Sequence, residues 1–446
     1  VGGVVREMAR EFLCGRQPEA RALARKDWDL ATASRPERTL KRLRRAGFAV
    51  LPIGIEHGTV VVHGRDKPGR IAPERRYEVT TFRYDRVCDG RHAVVEYAET
   101  LEEDLARRDF TVNALALDPE TGDILDLQGG LDDLQRRVIR AVGDPEKRFE
   151  EDSLRLIRAI RFALAIEGRI EERTWDAISR NARRIETISA ERVRDEILKI
   201  LTYPRPSRAF LMMRESGLLR HILPELDACF GVQQNFYHAD DVGVHTLFVV
   251  DAVAPKYPWL RWIALLHDLG KPATRSYPED KEDCVFYQHE VVGARLGRRI
   301  MRRLRFPTRE IDLATLLTRV HMYPIEPGMA KKTLRRWLHR IGREHFRSFL
   351  RLRMADRAGN RKQPRRLEPG LYEAVRMLRQ IERDQDALDL KDLEINGRDL
   401  LEMGLKPGPL VGRILRELLE QVLADPRLNE RETLLDLARQ WVDASE

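Results

Sequence analysis

The chain is organised around residues 26–32, which have the sequence Lys-Asp-Trp-Asp-Leu-Ala-Thr. In a β-strand the side chains alternate with a period of two, so a strand here would place Asp27 and Asp29 on the same face. Two carboxylates side by side suit Mg²⁺, which binds carboxylates, water and substrate phosphates in octahedral geometry. A short Asp-x-Asp is more often a polar turn, so the metal interpretation depends on the residues around it.

Two neighbouring stretches favour a metal-dependent site. Upstream, Gly2 and Gly3 lead into a predicted helix that carries Arg6. Backbone N–H groups and an arginine can hold a phosphate there, although a tight turn would have the same sequence. Downstream, residues 77–83 are rich in β-branched and aromatic residues, which predicts a strand with Glu78 beside the two aspartates. Three carboxylates could share two cations, an arrangement used in phosphoryl and nucleotidyl transfer.

Five motifs, in this order, resemble those of class II CCA-adding tRNA nucleotidyltransferases and bacterial poly(A) polymerases. They are Gly2-Gly3-x-Val5-Arg6, Asp27-x-Asp29, Glu78-Val79-Thr80-Thr81-Phe82-Arg83, residues 104–114 (Asp-Leu-Ala-Arg-Arg-Asp-Phe-Thr-Val-Asn-Ala) and Glu151-Asp152-x-x-Arg155. They span about the first two hundred residues, and five motifs in register are far more specific than any one of them. The later chain resembles the family members that carry an HD domain.

The resemblance implies an α+β fold with several modules, and 446 residues are too many for one core. The implied domains are a polymerase-β-like nucleotidyltransferase head with a small mixed sheet plus helices at 1–140, an all-α neck and body at 141–235, an HD phosphohydrolase-like domain at 236–360 and a helical C-terminal tail at 361–446. The implied catalytic residues are Asp27, Asp29 and Glu78, with Mg²⁺ held by the two aspartates. The implied nucleotide-binding residues are Gly3, Arg6, Arg108, Asp152, Arg155, Arg158 and Arg161.

A neck helix is predicted to begin near Asp144, with Asp144 as N-cap and Pro145 at the first helical position. On this helix Asp152 and Arg155 would share a face, where such a pair is usually a surface ion pair worth a few tenths of a kcal/mol. The alternative is recognition of the base. A carboxylate accepts from the exocyclic amine of cytosine or adenine and a guanidinium donates to the neighbouring ring nitrogen, whereas uracil and guanine present the reverse pattern. The pair is therefore predicted to select CTP and ATP.

Residues 85–100 form a polar segment before the next predicted helix. In the resembling enzymes this is a mobile loop needed for the switch to the final adenosine. Here it has full length, although Ala93 stands where the family usually has proline, and we expect AMP addition; a solvated hairpin would have the same sequence. Beyond it, the resemblance implies that Arg108 contacts the nucleotide, and we expect Asp109 to orient Arg108 through a bidentate pair.

A second group of candidate residues follows in the later chain. Residues 267–272, His-Asp-Leu-Gly-Lys-Pro, resemble the HD phosphohydrolase signature. The resemblance implies a divalent metal on His245, His267, Asp268 and Asp356, and a second metal on His289 and His321. Imidazole and carboxylate together suit Mg, Mn, Ni, Fe or Zn, and such a metal can generate hydroxide near neutral pH. Related domains hydrolyse phosphomonoesters or 2′,3′-cyclic phosphates, but a structural remnant would look almost the same.

Composition limits the class of protein without naming a function. With 34% charged residues and mean hydropathy of −0.47, the chain has no apolar run near the roughly 20 residues of a membrane helix. The net charge of +8 favours a polyanionic partner. Four cysteines without Cys-x-x-Cys spacing, and no signal peptide, predict the reducing cytoplasm. Val1 directly precedes the glycine pair, so we expect the true start to lie upstream.

The sequence therefore predicts a template-independent nucleotidyltransferase that transfers CMP and AMP from CTP and ATP to the tRNA 3′ end and releases pyrophosphate. An A-adding enzyme and a poly(A) polymerase remain alternatives, because they share the head motifs. A different class of alternative is an HD metal-dependent phosphohydrolase whose head only binds RNA. The complete set of three head carboxylates argues against that class.

Overall fold

The computed structural model describes residues 1–15, 28–67, 70–88, 93–362 and 369–443. Asp27 and the centre of the predicted mobile loop, residues 89–92, lie outside the described residues. The chain divides into two compact units, Val1–Asp227 with Arg303–Arg305, and Ala228–Arg302 with Phe306–Glu446. The finer division into four domains stays a prediction. Among the described residues, no helix has the length and apolar composition needed to cross a lipid bilayer.

The first unit is built on a four-stranded mixed sheet with strand order β1-β4-β3-β2. Its strands are β1 (Trp28–Thr32), β2 (Ala49–Leu51), β3 (Thr59–Lys67) and β4 (Arg70–Thr81). Strand β1 runs parallel to β4, and the other neighbours are antiparallel. The predicted small mixed sheet is thus confirmed. Residues paired in register on adjacent strands project on one face, and Asp29 is paired with Glu78.

Helices cover the sheet because its β-branched residues need an apolar partner. Val50, Val60 and Val62 form a buried cluster on which Leu40 and Leu43 pack. The helices of this region are α1 (Gly3–Leu13), α2 (Pro36–Arg45), α3 (Leu101–Ala106) and α4 (Gly130–Gln135). The remaining strands of the first unit are β5 (Arg83–Cys88), β6 (Ala93–Tyr97), β7 (Leu115–Leu117), β8 (Ile124–Asp126), β9 (Val138–Ile139) and β10 (Arg169–Ile170).

The predicted neck helix is divided into α5 (Pro145–Glu151) and α6 (Arg155–Ala165). Asp144 caps α5 as expected, since its side chain accepts from the backbone N–H of Glu146. Asp152 is extended, with φ −151° and ψ 102°, and its Oδ1 accepts from the N–H of Leu154 at 3.1 Å. The prediction that Asp152 and Arg155 share one face of a continuous helix is therefore wrong. Asp152 instead lies at the junction between two helices.

The rest of the described chain is helical apart from one short strand pair. The first unit continues with α7 (Glu172–Asn181), α8 (Ala190–Ile200), α9 (Ser207–Glu215), α10 (Leu219–Ile222) and α11 (Pro224–Asp227). The second unit contains α12 (Val242–Ala252), α13 (Pro258–Leu266), α14 (Lys271–Thr274), β11 (Arg275–Ser276), β12 (Val285–Phe286), α15 (His289–Arg303), α16 (Thr308–Val320), α17 (Lys331–Ile341), α18 (Arg343–Gly359), α19 (Pro369–Asp384), α20 (Gly397–Glu402), α21 (Pro409–Ala424) and α22 (Arg431–Asp443).

Candidate functional site

A cavity of about 490 Å³ lies in the first unit. The predicted site residues that line it are Gly3, Arg6, Asp29, Arg108, Asp152, Arg155 and Arg158. Glu78 and Arg161 are not among its lining residues. Guanidinium groups outnumber carboxylates on its wall, so the cavity suits a polyanion such as a triphosphate.

The carboxylate side of this cavity is formed by the sheet. Asp29 lines the cavity, and its strand partner Glu78 stands on the same face. The carboxylate of Glu78 accepts from Nη2 of Arg76 at 2.6 Å, in a half-exposed pair. Such an exposed ion pair contributes about 0–1 kcal/mol, so it holds Glu78 only weakly. Hard carboxylate oxygens on one sheet face are a suitable donor set for a divalent ion.

The phosphate side begins at the N-terminus of α1. Gly2 has φ +72°, and a Cβ there would stand 2.9 Å from Nη1 of Arg108 and 3.8 Å from Oδ2 of Asp29. Only a glycine lets Arg108 come this close to the backbone. Arg6 is buried and donates to the side-chain oxygen of Asn113. The glycine pair and the two arginines therefore meet at one corner of the cavity.

Asp104, not Asp109, holds Arg108. Asp104 is buried and accepts from Arg107 at 2.8 Å and from Arg108 at 3.2 Å. Burial raises the pKa of Asp104, but the two arginines outweigh burial and keep this pKa below the ordinary value. The prediction that Asp109 orients Arg108 is wrong, since the partner of Asp109 is Arg158. The signal for the correct pairing was local, because Arg107 and Arg108 follow Asp104 by three and four residues.

Asp109 connects the first unit's loop at residues 107–113 with α6. It accepts from Arg158 at 2.6 and 2.9 Å and from Nδ2 of Asn113 at 2.9 Å. Burial raises its pKa, but Arg158 and Asn113 outweigh this and lower the pKa below the usual value. Arg161 points away to Glu196, at 2.6 Å, and covers the ring of Phe162 at 4.0 Å from its centroid. Direct contact of Arg161 with a nucleotide therefore stays a prediction.

Asp152 and Arg155 both face the cavity but are paired with other groups. Oδ2 of Asp152 accepts from Nη2 of Arg192 at 2.7 Å. Arg155 donates to Oε2 of Glu151 at 2.6 Å and to the carbonyl of Arg107 at 3.1 Å. A carboxylate offers about four acceptor positions, so Asp152 retains capacity to accept from a ligand. Arg192 was not among the predicted binding residues, because 40 residues separate it from Asp152 and it carries no local signal.

The second unit brings the six predicted HD residues together. His245 lies on α12, Asp356 lies on α18, and the other four stand at helix ends. Within each of two groups the potential ligand atoms lie within 4.8 Å of one another. The groups are His245, His267 and Asp356, and Asp268, His289 and His321. Asp268 also lies next to the first group, since its Oδ2 is 3.2 Å from Nε2 of His267.

Three of these histidines are held in the orientation that metal ligands need. Nδ1 of His267, His289 and His321 contacts the carbonyls of Ala264, Phe286 and Thr318 at 2.7, 2.8 and 2.6 Å. Because a carbonyl only accepts, Nδ1 carries the proton and Nε2 of a neutral ring keeps its lone pair. The three Nε2 atoms are buried and make no hydrogen bond within the described part of the chain, although that of His267 lies 3.2 Å from Oδ2 of Asp268. Buried ring nitrogens that converge beside carboxylates are what a cation would satisfy.

The charges of this group also fit a cation. Burial alone would lower the pKa of His267, but Asp268 and Asp356 reverse the effect and raise it to about 10. Without a metal, Nε2 of His267 therefore carries a proton near neutral pH, and a bound cation would replace that proton. The histidines in turn hold the pKa of Asp268 and of Asp356 well below the ordinary value, against the effect of burial. Lys271 supplies one positive charge, with Nζ 2.7 Å from Oδ2 of Asp268.

Close backbone packing holds the loop after Asp268 against the helix that begins at His289. A Cβ at Gly270 would stand 2.0 Å from the carbonyl oxygen of His289 and 2.7 Å from the N of Gly293. The loop after Asp268 therefore rests directly on the first turn of α15, and only glycine allows this contact.

Four of these donors, Asp268, His289, His321 and Asp356, line a cavity of about 450 Å³. Its wall also carries Lys271, Arg353 and Arg357, and Nη1 of Arg353 is 3.0 Å from Oδ2 of Asp356. Tyr237 and Tyr287 stand at the same cavity. No role was predicted for these arginines and tyrosines, although Arg357 adjoins Asp356 and Tyr287 lies two residues before His289.

Three family models match the chain. The Poly A polymerase head domain matches residues 1–140, the Probable RNA and SrmB-binding site of polymerase A matches residues 169–230, and tRNA nucleotidyltransferase domain 2 matches residues 291–438.

Individual proteins give the same result. The A-adding tRNA nucleotidyltransferase of Deinococcus radiodurans is 36% identical over 353 residues, which cover 76% of this chain and 79% of the relative. A CCA-adding enzyme of Streptococcus agalactiae is 28% identical over 421 residues, or 93% of this chain and 89% of the relative. The solved structure of the Bacillus stearothermophilus CCA-adding enzyme in complex with CTP covers 100% of this chain and 93% of its own, with a TM-score of 0.70 and 29% identity.

The mixed sheet and the arginine-rich cavity are those of a nucleotidyltransferase head. The chain belongs to the tRNA nucleotidyltransferase and poly(A) polymerase family, as the five sequence motifs predicted. Enzymes of this family work with a divalent metal, and the two donor groups of the second unit are able to hold metal ions.

Proposed function

We propose that the chain adds CMP and AMP, from CTP and ATP, to the 3′ end of tRNA without a nucleic-acid template. The observation that carries this proposal is that Asp29, Arg108, Asp152 and Arg155 line one cavity. A metal carboxylate, a triphosphate-binding arginine and a pair able to recognise a base are thereby within reach of one nucleotide. Relatives that add A and relatives that add CCA both support the reaction class.

In the proposed reaction the tRNA 3′-hydroxyl attacks the α-phosphorus and a new O–P bond forms. The bond from the α-phosphorus to the oxygen that bridges to the β-phosphorus breaks, so pyrophosphate leaves, and the hydroxyl proton passes to water. Arg6 and Arg108 bind the triphosphate, and Asp29, with Asp27 and Glu78, would hold divalent metal. Such a metal, when bound, polarises the hydroxyl and offsets charge on the leaving group. The residues of this chain position the two reactants, and positioning alone can contribute about 7–11 kcal/mol to such a reaction.

Base selection falls to Asp152 and Arg155. Arg192 and the N–H of Leu154 hold the Asp152 carboxylate, which then accepts from the amine of cytosine or adenine. Glu151 and the carbonyl of Arg107 hold the guanidinium of Arg155, which donates to the ring nitrogen. Uracil and guanine would place a carbonyl against a carboxylate and an N–H against a guanidinium, and both contacts are repulsive. An enzyme with tRNA and nucleoside triphosphates as substrates would act in the cytoplasm.

The test uses purified protein, Mg²⁺ and tRNA transcripts that end before CCA, after C and after CC. CTP and ATP are supplied singly and together, and products are resolved at single-nucleotide resolution. Three additions that then stop are the expected result. Addition of one A to the CC-ended transcript alone would make the protein an A-adding enzyme, and a long A ladder would make it a poly(A) polymerase. No incorporation would overturn the proposal.

We propose a second activity, hydrolysis of phosphate esters at the HD site. The supporting observation is the pair of donor groups, four of whose members line a cavity together with Lys271, Arg353 and Arg357. A bound divalent metal would supply a hydroxide near neutral pH. Lys271 and Arg353, which contact Asp268 and Asp356, would balance the charge of the phosphate.

Metal-free protein is titrated with Mg, Mn, Ni, Fe and Zn salts, and hydrolysis of p-nitrophenyl phosphate and of 2′,3′-cyclic AMP is measured. At least one metal is expected to give turnover that the His321→Ala variant lacks. His339→Ala is the matched control, since His339 lies on α17 outside the cavity. Turnover of neither substrate with any metal would contradict the second activity and leave the first untouched.

A further inference from the structure

Two exposed aromatic rings stand at the cavity of about 450 Å³ in the second unit, which we call the HD cavity. Tyr237 and Tyr287 line it, and their exposed fractions are 58% and 61%. Phe236, also 61% exposed, packs against Tyr237 with ring centroids 4.0 Å apart and an interplanar angle of 33°. Apolar surface in water costs about 25 cal/mol per Å², so a cluster of open rings beside a polar cavity points to a ligand.

The backbone that carries two of these rings is anchored. Nδ2 of Asn360 donates to the carbonyl of Tyr237 at 3.0 Å, and Nζ of Lys362 donates to the carbonyl of Phe236 at 2.7 Å. The carboxylate of Asp283 accepts from the N–H of Phe236. The rings are thus presented by a fixed main chain while their faces remain open. A ligand that stacks on them would order little of the protein, which favours affinity.

The charge of the same cavity selects the kind of ligand. Lys271, Arg353 and Arg357 line it together with the two tyrosines. Exposed aromatic rings next to lysine and arginine are the combination that binds single-stranded nucleic acid, because bases stack on the rings and phosphates contact the cations. A stacked base does not need to be a particular one, since every base has a π-face.

We propose that Tyr237 and Tyr287 form a stacking surface for unpaired nucleobases at the end of an RNA strand, with the terminal phosphate inside the cavity beside Arg353. The placement of the terminal phosphate inside the cavity rests on the proposed phosphohydrolase activity. The stacking contact can be measured without turnover. The cavity would then take the end of a polynucleotide in preference to a small phosphate ester.

The test measures binding of a five-nucleotide RNA with a 5′ fluorophore and a 3′-phosphate by fluorescence anisotropy, in the full-length protein. The 3′-phosphate prevents the strand from acting as an acceptor for nucleotide addition. Tyr237→Ala and Tyr287→Ala are each expected to raise the Kd by about 5-fold or more, because one stacked base contributes about 1–3 kcal/mol. Tyr277→Ala, which removes a ring 65% exposed that does not line the cavity, is expected to leave the Kd unchanged.

One further strand and two further variants separate stacking from other causes. An otherwise identical strand without its 3′-terminal base is expected to bind wild type and Tyr237→Ala with nearly equal Kd. The Tyr237→Phe and Tyr287→Phe variants keep the ring and are expected to retain the wild-type affinity. The proposal is overturned if the alanine variants bind like the wild type, if the loss is equal for the abasic strand, or if the wild type does not bind.

Failure of the phosphohydrolase proposal would look different. In that case the 3′-phosphate stays intact with every metal while the alanine variants still bind more weakly than the wild type. If instead the wild type removes the phosphate and the alanine variants do so with unchanged KM, the activity stands and the stacking surface is wrong.

Discussion

The arginine-rich cavity of the first unit, which we call the head cavity, and the HD cavity of the second unit differ in the partners of their polar groups. In the HD cavity His289 and His321 direct buried Nε2 atoms, which make no hydrogen bond within the described part of the chain, toward a position shared with Asp268. In the head cavity the candidate groups already have protein partners, such as Arg192 for Asp152, Asp104 for Arg108 and Glu151 for Arg155. The first arrangement is preformed for an ion that stays, and the second suits substrates that come and go.

The difference has a physical basis in what a ligand replaces. An unpartnered buried polar atom costs about 1–3 kcal/mol, so a metal that satisfies several such atoms is retained. At the head, a nucleotide exchanges one charged contact for another and gains little for each exchange. Its affinity there is therefore expected to be modest, which allows release of pyrophosphate and movement of the RNA end.

The two cavities are expected to act independently, and the loss of a head carboxylate tests this most strongly. Asp29→Ala removes a head carboxylate, and nucleotide incorporation is expected to fall at least about 1,000-fold, since metal catalysis contributes several kcal/mol. Hydrolysis of p-nitrophenyl phosphate is expected to stay at the wild-type rate. Asp132→Asn, an exposed head residue outside the cavity, is the control for incorporation. Incorporation by Asp29→Ala at more than a tenth of the wild-type rate would refute the metal role.

The converse change tests the HD cavity. His289→Ala removes one donor of the second group and is expected to lower the affinity for that divalent ion by about 100-fold or more. Isothermal titration of metal-free protein with Mn²⁺ measures the loss, and elemental analysis counts the ions that remain. Nucleotide incorporation should not change. Equal metal content in wild type, His289→Ala and His339→Ala would show that the histidine cluster is structural.

The ion pair between Asp109 and Arg158 is an example of the partnered groups of the head cavity, and it is expected to stabilise the folded protein. Asp109→Asn is expected to lower the free energy of unfolding by about 2 kcal/mol, less than a fully buried pair because Arg158 is partly exposed. The pKa of Asp109 is depressed in the folded protein, so its contribution is present above the ordinary value of 3.8 and is lost as pH falls through the lower folded value. Wild type should therefore lose more stability than Asp109→Asn below about pH 4.

Urea unfolding at pH 7 and at pH 3 measures both effects. Asp123→Asn is the matched control, since Asp123 is an exposed aspartate of the first unit. Parallel loss of stability in acid by wild type and Asp109→Asn would mean that the pair does not stabilise the fold.

A pair of glycine variants, for which we expect the smallest effect, separates backbone strain from contact with Arg108. Gly2→Ala and Gly15→Ala both place a side chain at positive φ, +72° and +69°, at a cost of about 1–3 kcal/mol. Only at Gly2 would the new Cβ meet Arg108, because no atom lies within 4 Å of that position at Gly15. Gly2→Ala should raise the KM for ATP by about 10-fold through loss of one charged contact, and Gly15→Ala should leave it unchanged. Equal KM values would place the triphosphate elsewhere.

Predictions that depend on a short stretch of sequence succeeded. Strands were predicted at Asp29 and at Glu78, and these strands are neighbours in the sheet, whereas the group around Asp268 followed from the resemblance to the HD signature. Strand periodicity and the spacing of residues within a motif are enough for such predictions. The strand predicted at residues 77–83 was recognisable from its β-branched and aromatic residues, and it corresponds to the end of β4 and the start of β5.

Contacts between distant parts of the chain were not predictable in this way. Arg192 meets Asp152 only because α8 packs near the junction of α5 and α6. The junction itself was missed, since nothing in Glu-Asp-Ser-Leu forbids a helix and the break depends on one side chain capping the N–H of Leu154. Pairing of Asp109 with Arg158 instead of Arg108 likewise depends on the folded position of α6.

Gly270 has a consequence for how sequence variation in this protein should be interpreted. It touches no predicted metal ligand through a side chain, yet any larger residue would push its loop away from the carbonyl of His289. A mutational scan would score the position as intolerant as Asp268, although it takes part in no chemistry. Mutational data alone would then count Gly270 among the active-site residues. Its close contact with the His289 backbone shows that it is needed for packing.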